Sequence, residues 1–174
     1  MKKVCIVFLV LSIIVLSVYS LNGNQSTHTE YLRIHIRADS NEDGAQAIKY
    51  KVKDAVTAFL TPYIAECQTK NQADETLKRL LSKIEDVADN VLKVGGFSYR
   101  STAKLNTEKF PTRVYDNLVL ESGYYDALII ELGSGKGDNW WCVVYPPLCF
   151  KGQNGNIVYK SKIQEIINDF FKRR

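Results

Sequence analysis

Tyr31-Leu32-Arg33-Ile34-His35-Ile36-Arg37-Ala38 runs at once into Asp39-Ser40-Asn41-Glu42-Asp43-Gly44, a change of pattern from which the fold follows. Leu32, Ile34 and Ile36 alternate with Arg33, His35 and Arg37, the two-residue period of a half-buried strand with one apolar and one basic face. Ser40-Asn41-Glu42-Asp43 then has the spacing of a helix capping box. Beyond it Ile48, Val52, Ala55, Val56, Phe59 and Tyr63 form one helical stripe ending near Ala65, where Pro62 is placed to end or bend the last turn. A strand therefore feeds directly into a helix.

Downstream, a second helix opens at Asn71, a good cap residue, and carries Leu77, Leu80, Leu81, Ile84, Val87, Ala88, Val91 and Leu92. It stops at Gly95-Gly96, where a left-handed cap costs least. Phe97, Tyr99, Ala103 and Leu105 alternate with polar residues as a second strand, and shorter strands follow near residues 114–120, 124–132 and 139–145. Ser161-x-x-Gln164 caps a C-terminal helix over about residues 161–172, with Ile163, Ile166, Ile167, Phe170 and Phe171 on one face. The order β-α-α-β-β-β-β-α predicts a single α+β domain over residues 31–174, a mainly antiparallel sheet with its helices on one face.

Upstream, residues 21–30 are polar and turn-rich, and read as a linker. Before them Lys2 and Lys3 precede an almost unbroken apolar run from Val4 to Val18, with Val18-Tyr19-Ser20 suited to cleavage. Residues 1–20 thus read as a signal peptide or, since roughly 18–20 apolar residues cross a bilayer, as a membrane anchor. Either way the domain is exported, and it meets the membrane only through this segment if it is uncleaved. Cys5 opens the apolar run and does not close it, which excludes a lipoprotein. The net charge of +4 falls to +2 once Lys2 and Lys3 leave, giving no electrostatic case for nucleic acid.

Three cysteines remain after export. Cys67, on an apolar helix, reads as a buried small hydrophobe. Cys142 and Cys149 are able to pair in an oxidising space only if Pro146-Pro147 reverses the chain. Fully extended they would stand more than about 20 Å apart, and a bridge needs less than about 7 Å. The cysteine spacings match no zinc pattern, and no metal or other cofactor is expected.

Two motif fragments carry no chemistry. Asp39-Ser40-Asn41-Glu42-Asp43-Gly44 copies the first half of a calcium loop, but the twelfth position is Tyr50, so the acids read as a strand-to-helix turn. Gly133-Ser134-Gly135-Lys136-Gly137 lacks the Gly-Lys-Ser/Thr ending and the following helix of a phosphate loop, so it reads as a flexible hairpin loop. Catalysis needs a base beside a nucleophile; His28 lies in the linker, and His35 sits between two arginines that lower its pKa. No catalytic residue is assigned. The adjacent Trp140 and Trp141 must face opposite sides of a strand that ends at Tyr145-Pro146-Pro147. One tryptophan beside a stiff Pro-Pro turn suits a protein anchor, and the basic face of Arg33, His35 and Arg37 is the second candidate surface.

Several blocks in order resemble the stage II sporulation protein R family of endospore-forming bacteria. They are Leu32-Arg33-Ile34-His35-Ile36-Arg37-Ala38-Asp39-Ser40-Asn41, Ala47-Ile48-Lys49-Tyr50-Lys51-Val52-Lys53-Asp54-Ala55-Val56, Phe110-Pro111-Thr112-Arg113-Val114-Tyr115 and Gly123-Tyr124-Tyr125-Asp126-Ala127-Leu128. The longest runs from Gly135-Lys136-Gly137-Asp138-Asn139-Trp140-Trp141 through Cys142-Val143-Val144-Tyr145-Pro146-Pro147-Leu148-Cys149-Phe150. The resemblance implies a non-enzymatic signal exported across the forespore membrane into the space between forespore and mother cell. Its implied partner is the membrane-embedded aspartic protease that processes the sigma-E precursor. An exported envelope hydrolase and an anchored structural protein of the forming spore stay open as alternatives.

Overall fold

The structure, a computed structural model, describes residues 27–115, 118–150, 167 and 169–172. Its elements are β1 (Thr27–Arg37), α1 (Asp43–Ala65), α2 (Lys70–Val94), β2 (Ser101–Phe110), β3 (Arg113–Tyr115), β4 (Leu118–Leu120), β5 (Gly123–Leu132) and β6 (Asn139–Tyr145). The expected signal segment over 1–20 lies outside the described residues, as does all of the C-terminal helix except residues 167 and 169–172, which are helical. The fold is α+β. A four-stranded sheet runs β2-β5-β1-β6, antiparallel except for the β5–β1 pair, and β3–β4 form a separate two-stranded sheet.

Both helices cover one face. Leu32, Ile34 and Ile36 of β1 meet Leu128, Ile130 and Leu132 of β5, and α1 and α2 close over them with Val52, Val56, Leu60, Leu77, Ile84 and Ala88. Burying each of the larger aliphatic chains contributes about 2 kcal/mol. The opposite face holds a second cluster, Tyr31, Phe110, Leu120, Tyr125, Ala127, Ile129 and Val143, with Tyr115 and Leu118 packed against it.

Four sequence expectations shift. The linker ends sooner than residue 30, because β1 begins at Thr27. The Ser40–Asp43 capping box does not form: Glu42 is the N-cap and makes no side-chain cap bond, while the Ser40 carbonyl accepts from the Gln46 amide at 2.9 Å. The second helix opens earlier than Asn71, at Thr69, whose hydroxyl accepts the Gln72 N–H at 3.2 Å while Gln72 Oε1 takes the Gln68 N–H at 2.7 Å. The strand expected from Phe97 begins at Ser101, and the single strand over 114–120 is instead the antiparallel pair β3 and β4.

The largest correction concerns the loop at Gly133–Asp138. It is no hairpin, because β1 lies between β5 and β6. The loop passes the end of β1 and is bonded to the residues that follow it, Ala38, Asp39 and Asn41. Gly137 N–H donates to the Ala38 carbonyl (2.8 Å), Ser134 N–H to Asp39 Oδ1 (2.6 Å) and Asp138 N–H to Asn41 Oδ1 (2.6 Å). The calcium-like acids and amide thus serve as acceptors for backbone N–H groups. Lys49, also buried, donates to the Asp138 carbonyl at 3.0 Å, and burial lowers its pKa.

A Cβ added at Gly137 would stand 2.6 Å from the Ser40 carbonyl carbon and 3.0 Å from Ala38 Cβ. Gly137→Ala is therefore expected to lose about 2 kcal/mol of unfolding free energy in a urea titration. Gly44→Ala, where the new Cβ meets only Phe97 at 3.9 Å, is expected to be neutral or to gain up to about 1 kcal/mol.

Candidate functional site

The basic row of β1 is not a surface. Arg33 and His35 are both fully buried, at 0% exposure, because β1 has strands on both sides and clusters on both faces. The half-buried strand expected from the alternation is thus buried throughout, and only Arg37 keeps partial exposure. Arg33 lies in a cage of rings, 4.2 Å from the centroid of Phe110, 4.7 Å from Tyr125 and 5.9 Å from Tyr115. Its Nη2 donates to the Tyr115 hydroxyl at 2.9 Å, while Nε and Nη1 have no hydrogen-bond partner. Burial lowers its pKa, against the pull of Tyr115, yet a guanidinium stays charged, and the ring faces offset its lost hydration.

His35 lies between Phe110 (5.3 Å) and Trp141 (4.8 Å). Glu108 Oε2 comes within 3.3 Å of Nε2 but is not aligned for a hydrogen bond, so both ring nitrogens go unpaired. Burial first, then Arg37, Lys104 and Arg33, push its pKa down from 6.5 to about 3. Arg37 ends the row with two ion pairs, to Glu131 and Glu108, both at 2.6 Å. Lys104 joins Glu131 at 3.1 Å, so this end of the face is a balanced charge network.

The other expected surface is largely interior as well. Trp140 and Trp141 face opposite sides of β6, as adjacency requires, and both are half-buried. Trp140 packs against the helix-side core with Lys53 Nζ 5.8 Å from its ring. Trp141 sits on Phe110 at 4.8 Å, with Arg113 5.9 Å away. Tyr145 is buried and its hydroxyl donates to the Gln68 carbonyl at 2.7 Å. Pro146 and Pro147 are buried too, so neither forms the exposed half of an anchor. They do reverse the chain: Cys142 and Cys149 are joined by a disulfide with Cα atoms 6.2 Å apart. Cys67 is a free, buried thiol whose pKa burial raises.

The only histidine–carboxylate approach among the described residues is His35–Glu108, and a substrate has no access to a fully buried imidazole. Sequence reasoning missed the residues that enclose the basic row, Phe110, Tyr115, Tyr125 and Glu108. All four lie within residues 108–125, close together in the chain but far from β1, and the pairing of β5 with β1 and of β2 with β5 brings Tyr125, Glu108 and Phe110 to the basic row.

The family model described as "Stage II sporulation protein R (spore_II_R)" matches residues 28–154. The curated Stage II sporulation protein R of Bacillus subtilis (strain 168) is 33% identical over 135 residues, covering 77% of this chain and 60% of its own length. The chain therefore spans less than two thirds of that relative. No solved structure matches. A sporulation protein is thus the class defined here, and the chain belongs to the stage II sporulation protein R family.

Two measurements test the interior row. Between pH 6.5 and about 3 the unfolded chain binds a proton that folded His35 refuses, so stability falls as pH falls through that window. The slope from this group is at most about 1.4 kcal/mol per pH unit. His35→Phe is expected to flatten thermal stability against pH across the window, with little change above pH 7. Arg33→Met, which replaces a buried cation by an apolar chain of similar reach, is expected to cost less than about 1 kcal/mol or to stabilise. Phe110→Ala, which opens the cage, is expected to cost about 3–5 kcal/mol in denaturant unfolding.

Proposed function

We propose that this chain is an exported sporulation signal that activates the membrane-embedded aspartic protease processing the sigma-E precursor in the mother cell. The observation that carries the reading is the family match over residues 28–154, which takes in nearly all of the folded domain. Two features of the chain agree with it. Lys2 and Lys3 before the apolar run supply an export segment, and a Cys142–Cys149 disulfide suits the oxidising side of a membrane.

In this reading the domain acts by binding. A ligand biases a receptor only through tighter binding to one of its states, so the domain must present a preformed surface to the protease. The bonded loop across β1, the filled core and the disulfide supply that rigidity at little ordering cost on binding. The burial of His35 counts against a hydrolase that would work through that imidazole.

Co-expression of the full chain with the protease and the sigma-E precursor in a host that does not sporulate is expected to yield mature sigma factor. Precursor left intact, with the chain recovered outside the cytoplasm in equal amount, would overturn the proposal.

A further inference from the structure

Among the described residues β2 closes one side of the sheet and pairs only with β5, so one row of its backbone groups points away from the ladder. Two hydrogen bonds identify the row. Ser101 N–H donates to Asp89 Oδ1 at 2.6 Å, and Ala103 N–H donates to Glu85 Oε1 at 2.8 Å. Both carboxylates stand on α2. Because backbone direction alternates along an antiparallel ladder, Leu105, Thr107 and Lys109 present their N–H and C=O groups the same way. Among the described residues none of these three N–H groups meets an acceptor.

The edge is thus half closed. Capping by acidic side chains guards a strand against pairing, and it stops at Ala103. Where it stops, a groove of about 420 Å³ opens between the first half of α2 and β2, lined by Lys70, Asn71, Lys78, Leu105, Thr107 and Asp126 among others. Its wall is braced, since Lys70 and the Thr107 hydroxyl both donate to Asp126. The opposite edge of the sheet differs: the disulfide loop folds back along β6, and Cys149 Sγ accepts the Val143 N–H at 3.4 Å.

The geometry points to a strand-addition site: residues 105–109 take an extended segment of a partner polypeptide as a fifth strand, seated between β2 and the first half of α2. Open main-chain donors and acceptors at every second residue recognise an extended backbone, whereas a helix has free main-chain groups only at its ends. A second copy of this chain does not fit. Pairing β2 with β2 sets the strands about 5 Å apart and crowds together on one face two α2 helices, each bonded to its own edge through Glu85 and Asp89, where packed helices stand about 8–10 Å apart. The incoming segment covers about five residues, carries no proline where it faces the edge, and turns small or polar side chains toward Lys70, Lys78 and Asp126. The inference holds whichever protein supplies the strand.

The test uses the full-length chain in a sporulating strain lacking its own copy. Thr107→Pro with Lys109→Pro removes two outward donors, and proline is tolerated at such positions of an edge strand. Asn71→Trp, exposed in the first turn of α2, fills the groove from the helix side without touching the ladder. Each variant exported at the parental level with its disulfide formed is expected to lower heat-resistant spores by roughly tenfold or more. Parental spore yield from either variant under that condition overturns the inference. If the proline variant is not exported, Asn71→Trp decides alone. Sigma-E precursor processing in the same cells scores the receptor reading separately: fewer spores with normal processing supports the edge and removes the protease as the partner.

Discussion

β1 has a hydrogen-bonded strand on each side and a packed cluster on each face, and the rest of the molecule accommodates that burial. Its apolar residues Leu32, Ile34 and Ile36 go to the helix side without difficulty. Its basic residues then have nowhere to go but inside. Arg33 is held by ring faces, His35 stays neutral between Phe110 and Trp141, and Arg37 reaches the rim to meet Glu108 and Glu131. A buried charge left without compensation costs several kcal/mol, so the aromatic residues of β2, β3, β5 and β6 are constrained by what β1 carries.

The same central position dictates the path of the chain after β5. To place β6 on the far side of β1, the backbone must cross the end of β1, and Gly137 lies against the Ser40 carbonyl where a Cβ would collide. Asp39 and Asn41 satisfy N–H groups that this crossing would otherwise leave bare. A motif that imitates a calcium loop is thereby spent on the chain itself. The two margins of the sheet differ in turn: the disulfide loop lies against β6, and acidic side chains of α2 cap β2 over only part of its length.

Much of the architecture could be read from local pattern. The α1 stripe, the α2 stripe with its Gly95-Gly96 stop and the strand at 139–145 are short-range features, and period and punctuation are enough to find them. The reading failed where a residue's fate depends on a distant partner. Alternation in β1 gave the correct two faces and the wrong solvent, because nothing local reveals that a second cluster covers the basic side. Trp140 and Trp141 were correctly placed on opposite faces, yet their exposure depends on α1 and on Phe110. The chain reversal that joins Cys142 to Cys149 was open in sequence, since Pro-Pro permits a turn without requiring one.

Residue order over short spans is enough for the α+β class and for the family blocks that tie the chain to sporulation. Strand order and the burial of Arg33 and His35 come from the tertiary structure alone. Those depend on pairings between segments up to about a hundred residues apart, such as Arg37 with Glu131 and Arg37 with Asn139. Local periodicity tells which side chains share a face; it carries no information about what covers that face.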